Sequence, residues 1–203
     1  MTDLITISRK DEQVTNRWSG GSTTQLAIYP DDADYNQRNF TWRLSSALVE
    51  VEESAFTPLP GFWRLLMILE GELFIEHEGH HSASLQPFEQ DAFSGGWTTR
   101  SKGKVRDFNL MVAKGCSGRL KAIHAQPGIQ HERVGEREQP HPHVDEAFYC
   151  IDGSIAISID DKQAIALSAG DVLLMSKISA AKTIAISNQS DEAATIIRAS
   201  LFY

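Results

Sequence analysis

Two glycine-centred segments of this 203-residue chain recur at a single spacing. Leu66–Glu76, around Gly71, is followed by Leu85 to Phe93; Phe148–Ser158, around Gly153, is followed by Leu167 to Leu173. Gly71 and Gly153 stand 82 positions apart, and so do Leu85 and Leu167. Two separate landmarks with one offset mark a duplicated unit, so the chain is expected to fold into two similar halves rather than one large domain.

Each unit reads as strand, glycine turn, strand, hairpin, strand, and then a Leu-led turn into a further strand. Phe40 to Val49 alternates Phe40, Trp42, Leu44 and Leu48 with Thr41, Arg43, Ser45 and Ala47, which is the period of two that separates the faces of a β-strand. Asp107 to Val112 does the same, with Phe108, Leu110 and Val112 on one face and Asp107 and Asn109 on the other. Glu76 to His80 and Asp160-Asp161-Lys162 read as hairpin ends. No stretch of 12 or more residues has a helical stripe, and only a short helical piece is expected, near Asp11 to Val14. The pattern resembles that of the cupins, which implies an all-β bicupin of two antiparallel jelly-roll barrels of the RmlC-like type. The expected boundaries are an N-terminal barrel over 1–115, a connecting segment over 116–139 where glycine and proline thin the apolar pattern, and a C-terminal barrel over 140–203.

Composition removes several function classes. The longest apolar run, Leu65 to Leu69, is far short of the ~20 residues of a membrane span, and no basic, then apolar, leader opens the chain, so a cytoplasmic protein without a membrane partner is expected. A formal net charge of -8 opposes binding to a phosphate backbone, and no nucleic-acid partner is expected. Cys116 and Cys150 lack the pairing of a disulfide scaffold or zinc ribbon and are expected to be free thiols.

Three groups of residues bear on chemistry. In the second unit Gly135, His141-Pro142-His143, Glu146 and Gly153 come close to the metal-binding cupin signature. The histidine-to-carboxylate gap is one or two residues short, however, and Leu173 stands near the place of the third histidine, so no metal and no cofactor are expected. His77, His80 and His81 surround the hairpin glycine Gly79, where solvated side chains are expected. In the first unit Arg43, Ser45, Arg64, Asp107 and Asn109 fall on strand faces that can meet in one interior. Two guanidinium groups there suit a carboxylate, with Asp107 and Asn109 serving its far end; an internal ion pair of Asp107 with Arg43 or Arg64 is the alternative. Trp18-Ser-Gly-Gly21-Ser-Thr23-Thr-Gln25 adds hydrogen-bonding groups and a close-approach glycine, so Trp18, Gly21, Thr23 and Gln25 complete the candidate ligand-binding set.

Trp18 to Gln25, Phe40 to Ala47, Phe56-Thr-Pro-Leu-Pro-Gly61 with Arg64, and Asp107-Phe-Asn109 with Met111 together resemble the HutD/Ves family, in the family's order and over about the first 115 residues. The resemblance implies a bicupin with no established catalytic activity, linked to histidine utilisation (HutD) and stress response (Ves). It implies a sensor of an acid such as urocanate or formylglutamate. The leading expectation is therefore a non-enzymatic protein that binds a small carboxylate in the N-terminal barrel. The alternative is a metal-dependent cupin isomerase or dioxygenase using His141 and His143 with Asp145 or Glu146. A homodimer formed through sheet edges is expected by fold analogy alone.

Overall fold

The structure, a computed structural model, describes residues 4–160 and 163–203. In chain order its strands are β1 (Leu4–Ser8), β2 (Val14–Trp18), β3 (Gly21–Tyr29), β4 (Trp42–Val49), β5 (Glu53–Ala55), β6 (Phe62–Glu70), β7 (Leu73–His77), β8 (Ser82–Leu85), β9 (Gln90–Ser94) and β10 (Thr99–Lys102). They continue as β11 (Val105–Ala113), β12 (Ser117–Ala125), β13 (Gly128–Val134), β14 (Val144–Asp152), β15 (Ser154–Ile159), β16 (Ile165–Ser168), β17 (Val172–Ser176), β18 (Lys182–Asn188) and β19 (Ala194–Phe202). A single 3-10 turn, Lys10–Glu12, is the helical piece among the described residues, slightly before the place expected for it.

The chain divides into two compact units, one of residues 13–118 and one of residues 119–203 joined by the segment up to Glu12. The first contains a six-stranded sheet, β2-β3-β4-β11-β6-β9, and a four-stranded sheet, β5-β10-β7-β8. The second contains β1-β17-β14-β19-β12 and β13-β18-β15-β16. Among the described residues the strands pair antiparallel, and no sheet closes on itself. The 82-residue offset carries into this pairing. Leu73 lies opposite Leu85 as Ile155 lies opposite Leu167, and Arg64 opposite Phe93 as Glu146 opposite Met175.

In each unit the inward residues of both sheets form one core. Leu66 and Ile68 of β6, Leu73 and Ile75 of β7, and Phe93 of β9 pack together in the first. Phe148, Ile157, Leu173, Ile184 and Ile196 do so in the second. β7 shows the cause plainly: Leu73, Ile75 and His77 are buried while Phe74 and Glu76 are exposed, the alternation of a strand with one face on a core.

Four expectations are corrected. Residues 116–139 are not a connector: β12 and β13 lie there, and β13 pairs with β18 over seven residues. Their apolar signal is weak because β13 is mostly exposed, Ile129 included. The N-terminal barrel does not begin at residue 1, since β1 is an edge strand of the second unit, paired to β17 from Leu4 to Ser8. On β4, Leu48 shares the face of Trp42 and Leu44 as expected but is exposed, and Val49 is buried on the opposite face with Arg43 and Ser45. His77 is buried rather than solvated. The hairpin end at Glu76 to His80 is present between β7 and β8; of the one expected at Asp160 to Lys162, Asp161 and Lys162 lie outside the described residues.

The repeated glycines turn the chain where no side chain fits. Gly71 has φ 82°, and a Cβ there would collide with the Lys104 carbonyl oxygen; Gly153 has φ 73°, and a Cβ would sit 2.9 Å from that of Ala194. Gly79 has a similar φ of 76° but open space around it. Gly71→Ala should therefore destabilise the protein by at least about 1 kcal/mol more than Gly79→Ala, since both add the strain of a positive φ and only Gly71 adds a collision. Urea unfolding of the two variants measures the difference; equal midpoints would contradict it.

Candidate ligand-binding cavity

β11 runs between β4 and β6, and its register assembles the polar face of the six-stranded sheet. Met111 lies opposite Arg43 on one side and Arg64 on the other. Two residues along, Asn109 lies opposite Ser45, which itself lies opposite Gln25 of β3. Two further, Asp107 lies opposite Ala47 and Ala47 opposite Thr23. Residues directly opposite on neighbouring strands share a face, so these three rows point the same way.

They line a cavity of about 580 Å³, within the range of small-molecule sites. Of the nine residues expected to bind a ligand, eight line it: Trp18, Thr23, Gln25, Arg43, Ser45, Arg64, Asp107 and Asn109. Gly21 does not. It supports the strand pair β3–β4, where a Cβ would collide with the Leu48 carbonyl oxygen. The cavity is completed by residues the pattern of strand faces could not reveal, notably Tyr35 from the loop after β3 and Phe56 after β5. Phe56 opens one of the family motifs, the one signal in the sequence that pointed to it.

Both guanidinium groups are held by rings. Arg43 lies 4.4 Å from the centroid of Tyr35, donates from Nε to Gln25 Oε1 at 2.9 Å and from Nη1 to Ser45 Oγ at 3.2 Å. Arg64 lies 4.7 Å from Phe56 and 5.4 Å from Phe93, and its buried Nε has no partner. Asp107 Oδ1 and Asn109 Oδ1 are likewise buried without one. The internal ion pair anticipated as an alternative is absent among the described residues: Asp107 has no salt bridge to Arg43 or Arg64 within 4.0 Å. Burial governs the charges. It pushes the Asp107 carboxyl up to about 7, against the pull of Arg64 and a hydrogen bond from the Ala47 amide. It draws Arg64 down to about 10, still cationic at neutral pH, and lowers Arg43 in the same sense.

The second unit does not bring its signature residues together in the same manner. Glu146 is gripped by Arg198 from Nη2 at 2.7 Å and Nε at 2.9 Å, and by Ser200 Oγ at 2.7 Å, and it accepts the Gly135 amide at 3.2 Å. Asp145 accepts the Lys177 amide at 2.7 Å and Tyr203 Oη at 3.0 Å. Among the described residues, His141 and His143 form no three-ligand group with any His, Cys, Asp or Glu. Both carboxylates that the metal-enzyme alternative needs are thus occupied by the protein's own donors. Cys116 and Cys150 are free thiols, as expected.

Fold and cavity together define an all-β, cupin-like protein with a polar, cation-lined pocket in its first unit. The chain belongs to the HutD family, whose model matches residues 10–194. Among solved structures it is similar to a conserved protein of unknown function, PA5104, from Pseudomonas aeruginosa PAO1, with a TM-score of 0.83 at 24% identity over 98% of this chain and 100% of that one. It is also similar to HutD from Pseudomonas fluorescens SBW25, determined in a formate condition, with a TM-score of 0.71 at 21% identity over 97% and 98% of the two chains. The bacterial pirin YhhW from Escherichia coli, solved in complex with nickel(II), shares the fold with a TM-score of 0.68 at 11% identity over 98% and 99%. No helix among the described residues is long and apolar enough to cross a membrane.

The state of Asp107 makes a prediction about stability. Its folded pKa, about 7, lies above the ordinary 3.8, so between these values the folded protein retains a proton that the unfolded chain has released. The contribution of Asp107 to stability is then greatest below about pH 4 and declines as pH rises to about 7, by at most about 1.4 kcal/mol per pH unit. Asp107→Asn removes that decline. The stability of the variant relative to wild type, followed by urea unfolding from pH 4 to 8, should rise with pH; a flat difference would refute the assignment.

Proposed function

We propose that this chain binds a small carboxylic acid in the cavity of its first unit and serves as a cytoplasmic regulator of histidine utilisation or stress response. The observation behind the reading is the set of unpartnered buried atoms on one polar face: Arg64 Nε, Asp107 Oδ1 and Asn109 Oδ1. A buried polar group without a partner is expensive, about 1–3 kcal/mol and more when charged, and a ligand that satisfies all three at once recovers that penalty. Arg64, lying over Phe56 and 5.4 Å from the Phe93 ring centre, offers the fork that a carboxylate accepts bidentately. The oxygens of Asp107 and Asn109 accept an N–H from the other end of the molecule, as the imidazole of urocanate or the amide of formylglutamate would supply. We infer further that the paired sheets of each unit form a jelly-roll barrel, making the chain a bicupin; the matched registers of the two units support this.

Asp107 shapes the pH dependence. An anionic carboxylate meets less repulsion when Asp107 holds its proton, so affinity should increase as pH falls from 8 to 6.

Thermal melting with formate, urocanate and formylglutamate tests the reading. The acid that fits should stabilise the protein by about 2.7 kcal/mol at a hundredfold excess over its dissociation constant. Arg64→Met should weaken it at least about 30-fold, the loss expected on removing one partner of a buried charged hydrogen bond. Arg100→Met, on an exposed strand position outside the cavity, should leave it unchanged. No shift with any acid, or an equal shift in Arg64→Met, would refute carboxylate binding. A regulatory role further requires that Arg64→Met in the chromosome alter the level of histidine-degrading enzymes during growth on histidine.

A further inference from the structure

Against Phe93, a second polar cluster extends from a buried histidine to the surface, where the fold does not require one. His77 ends β7, Asp91 lies on β9 and His81 stands in the turn before β8. His77 Nε2 is 2.9 Å from Asp91 Oδ2, and His81 Nε2 is 3.0 Å from both carboxylate oxygens. One donor atom from each of the three residues falls within 4.8 Å of the other two, the only such group among the described residues.

The duplicated unit shows what these positions hold when they serve packing alone. His77 corresponds to Ile159, Asp91 to Leu173 and Thr99, opposite His77, to Ile184, opposite Ile159. All three counterparts are apolar and fully within the second core. The first unit replaces this apolar triple with an imidazole, a carboxylate and a hydroxyl, at the desolvation cost of each.

The replacement is built as ligands are built. His77, its side chain wholly inaccessible, packs on Phe93 at 4.3 Å, and its Nδ1 is 2.8 Å from Thr99 Oγ1, which donates onward to the Trp97 carbonyl at 3.4 Å. The Thr99 hydroxyl thus holds Nδ1 while Nε2 is directed at Asp91, the orientation an outer-shell partner imposes on a metal-bound histidine. Asp91 Oδ1 also accepts the Ala92 amide at 2.8 Å, which orients the carboxylate. Asp91 is 14% exposed and His81 41%, so the cluster opens to solvent on the side away from His77, where water can complete a coordination shell. Stacking of His80 on Trp97 at 3.8 Å and the edge contact of His81 with the same indole shape that opening.

We propose that His77, His81 and Asp91 form a binding site for a divalent transition-metal ion of the zinc or nickel class. Two imidazoles and one carboxylate are the donor set such ions take, with the remaining positions left to water. The ion would replace the protons now shared among the three groups. The site is separate from His141 and His143 and from the residues proposed to hold a carboxylate.

Calorimetric titration of the untagged full chain, stripped with a chelator, with zinc or nickel chloride tests the proposal. One ion per chain should bind saturably. His81→Ala, at an exposed position that folding tolerates, should weaken binding at least about 100-fold. Thr99→Val, which preserves shape and every ligand, should weaken it by about 10- to 100-fold. The double variant His141→Ala/His143→Ala should bind like wild type. Cobalt(II) provides a second readout: its visible absorption band should appear in wild type and be lost in Asp91→Asn. The absence of saturable binding of either metal at millimolar concentration, binding unchanged in His81→Ala, or loss of binding in the double variant would each overturn the assignment.

Discussion

The placement of β11 between β4 and β6 is the constraint on which the rest of the first unit depends. Both neighbours hold it through eight-residue ladders, so its side chains have no freedom to turn away from the interior. Val105, Asp107, Asn109 and Met111 must face inward because Phe108, Leu110 and Val112, which are fully buried, face outward. A one-residue slip would exchange the two sets and bury nothing usefully. The apolar set therefore fixes the polar one: the protein tolerates a carboxyl and an amide beside two guanidinium groups because the opposite face of the same strand anchors them there.

How much of this was legible follows from the same physics. Periodicity of two separates faces without reference to anything distant, and for that reason Arg43, Ser45, Asp107 and Asn109 could be grouped from the sequence alone. The repeat was legible because Gly71 and Gly153 occupy left-handed turns that other residues do not fill well. What escaped depends on partners far along the chain. β1 has few neighbours of its own and is a strand because β17 offers it an edge. β13 is mostly exposed, so its sequence lacks the apolar half of the pattern, and only its ladder with β18 defines it. His77 reads as a turn residue beside Gly79, yet Leu73 and Ile75 set the parity that turns it inward. That alternation was in the sequence and would have found it.

Phe93 joins the two polar regions of the first unit. One edge of its surroundings is the Arg64 guanidinium at 5.4 Å, another is the His77 ring at 4.3 Å, and Phe56 meets it edge-on at 5.7 Å. The ring thus borders both the guanidinium and the imidazole, and its negative face suits the cation. The same residue is thereby shared by the cavity and the histidine cluster.

Comparison of the duplicated units at a single position shows why the cavity lies in the first one. Arg64 and Glu146 correspond, each third in its strand, each opposite the equivalent residue of the next strand, and each buried. In the second unit the charge is answered from within: Arg198, at the position that Asn109 holds in the first, closes on Glu146 with two hydrogen bonds, and Ser200, at the position of Met111, adds a third. In the first unit those same positions hold a neutral amide and a thioether, neither of which can neutralise a guanidinium. Asp107 is nearer the opposite charge in kind, but burial raises its pKa to about 7 and leaves it without an ion pair. One copy of the duplicated fold thus satisfies its charge internally, and the other leaves it facing a cavity. The scaffold alone does not demand this difference, since the same backbone pairing accommodates the closed arrangement 82 residues later.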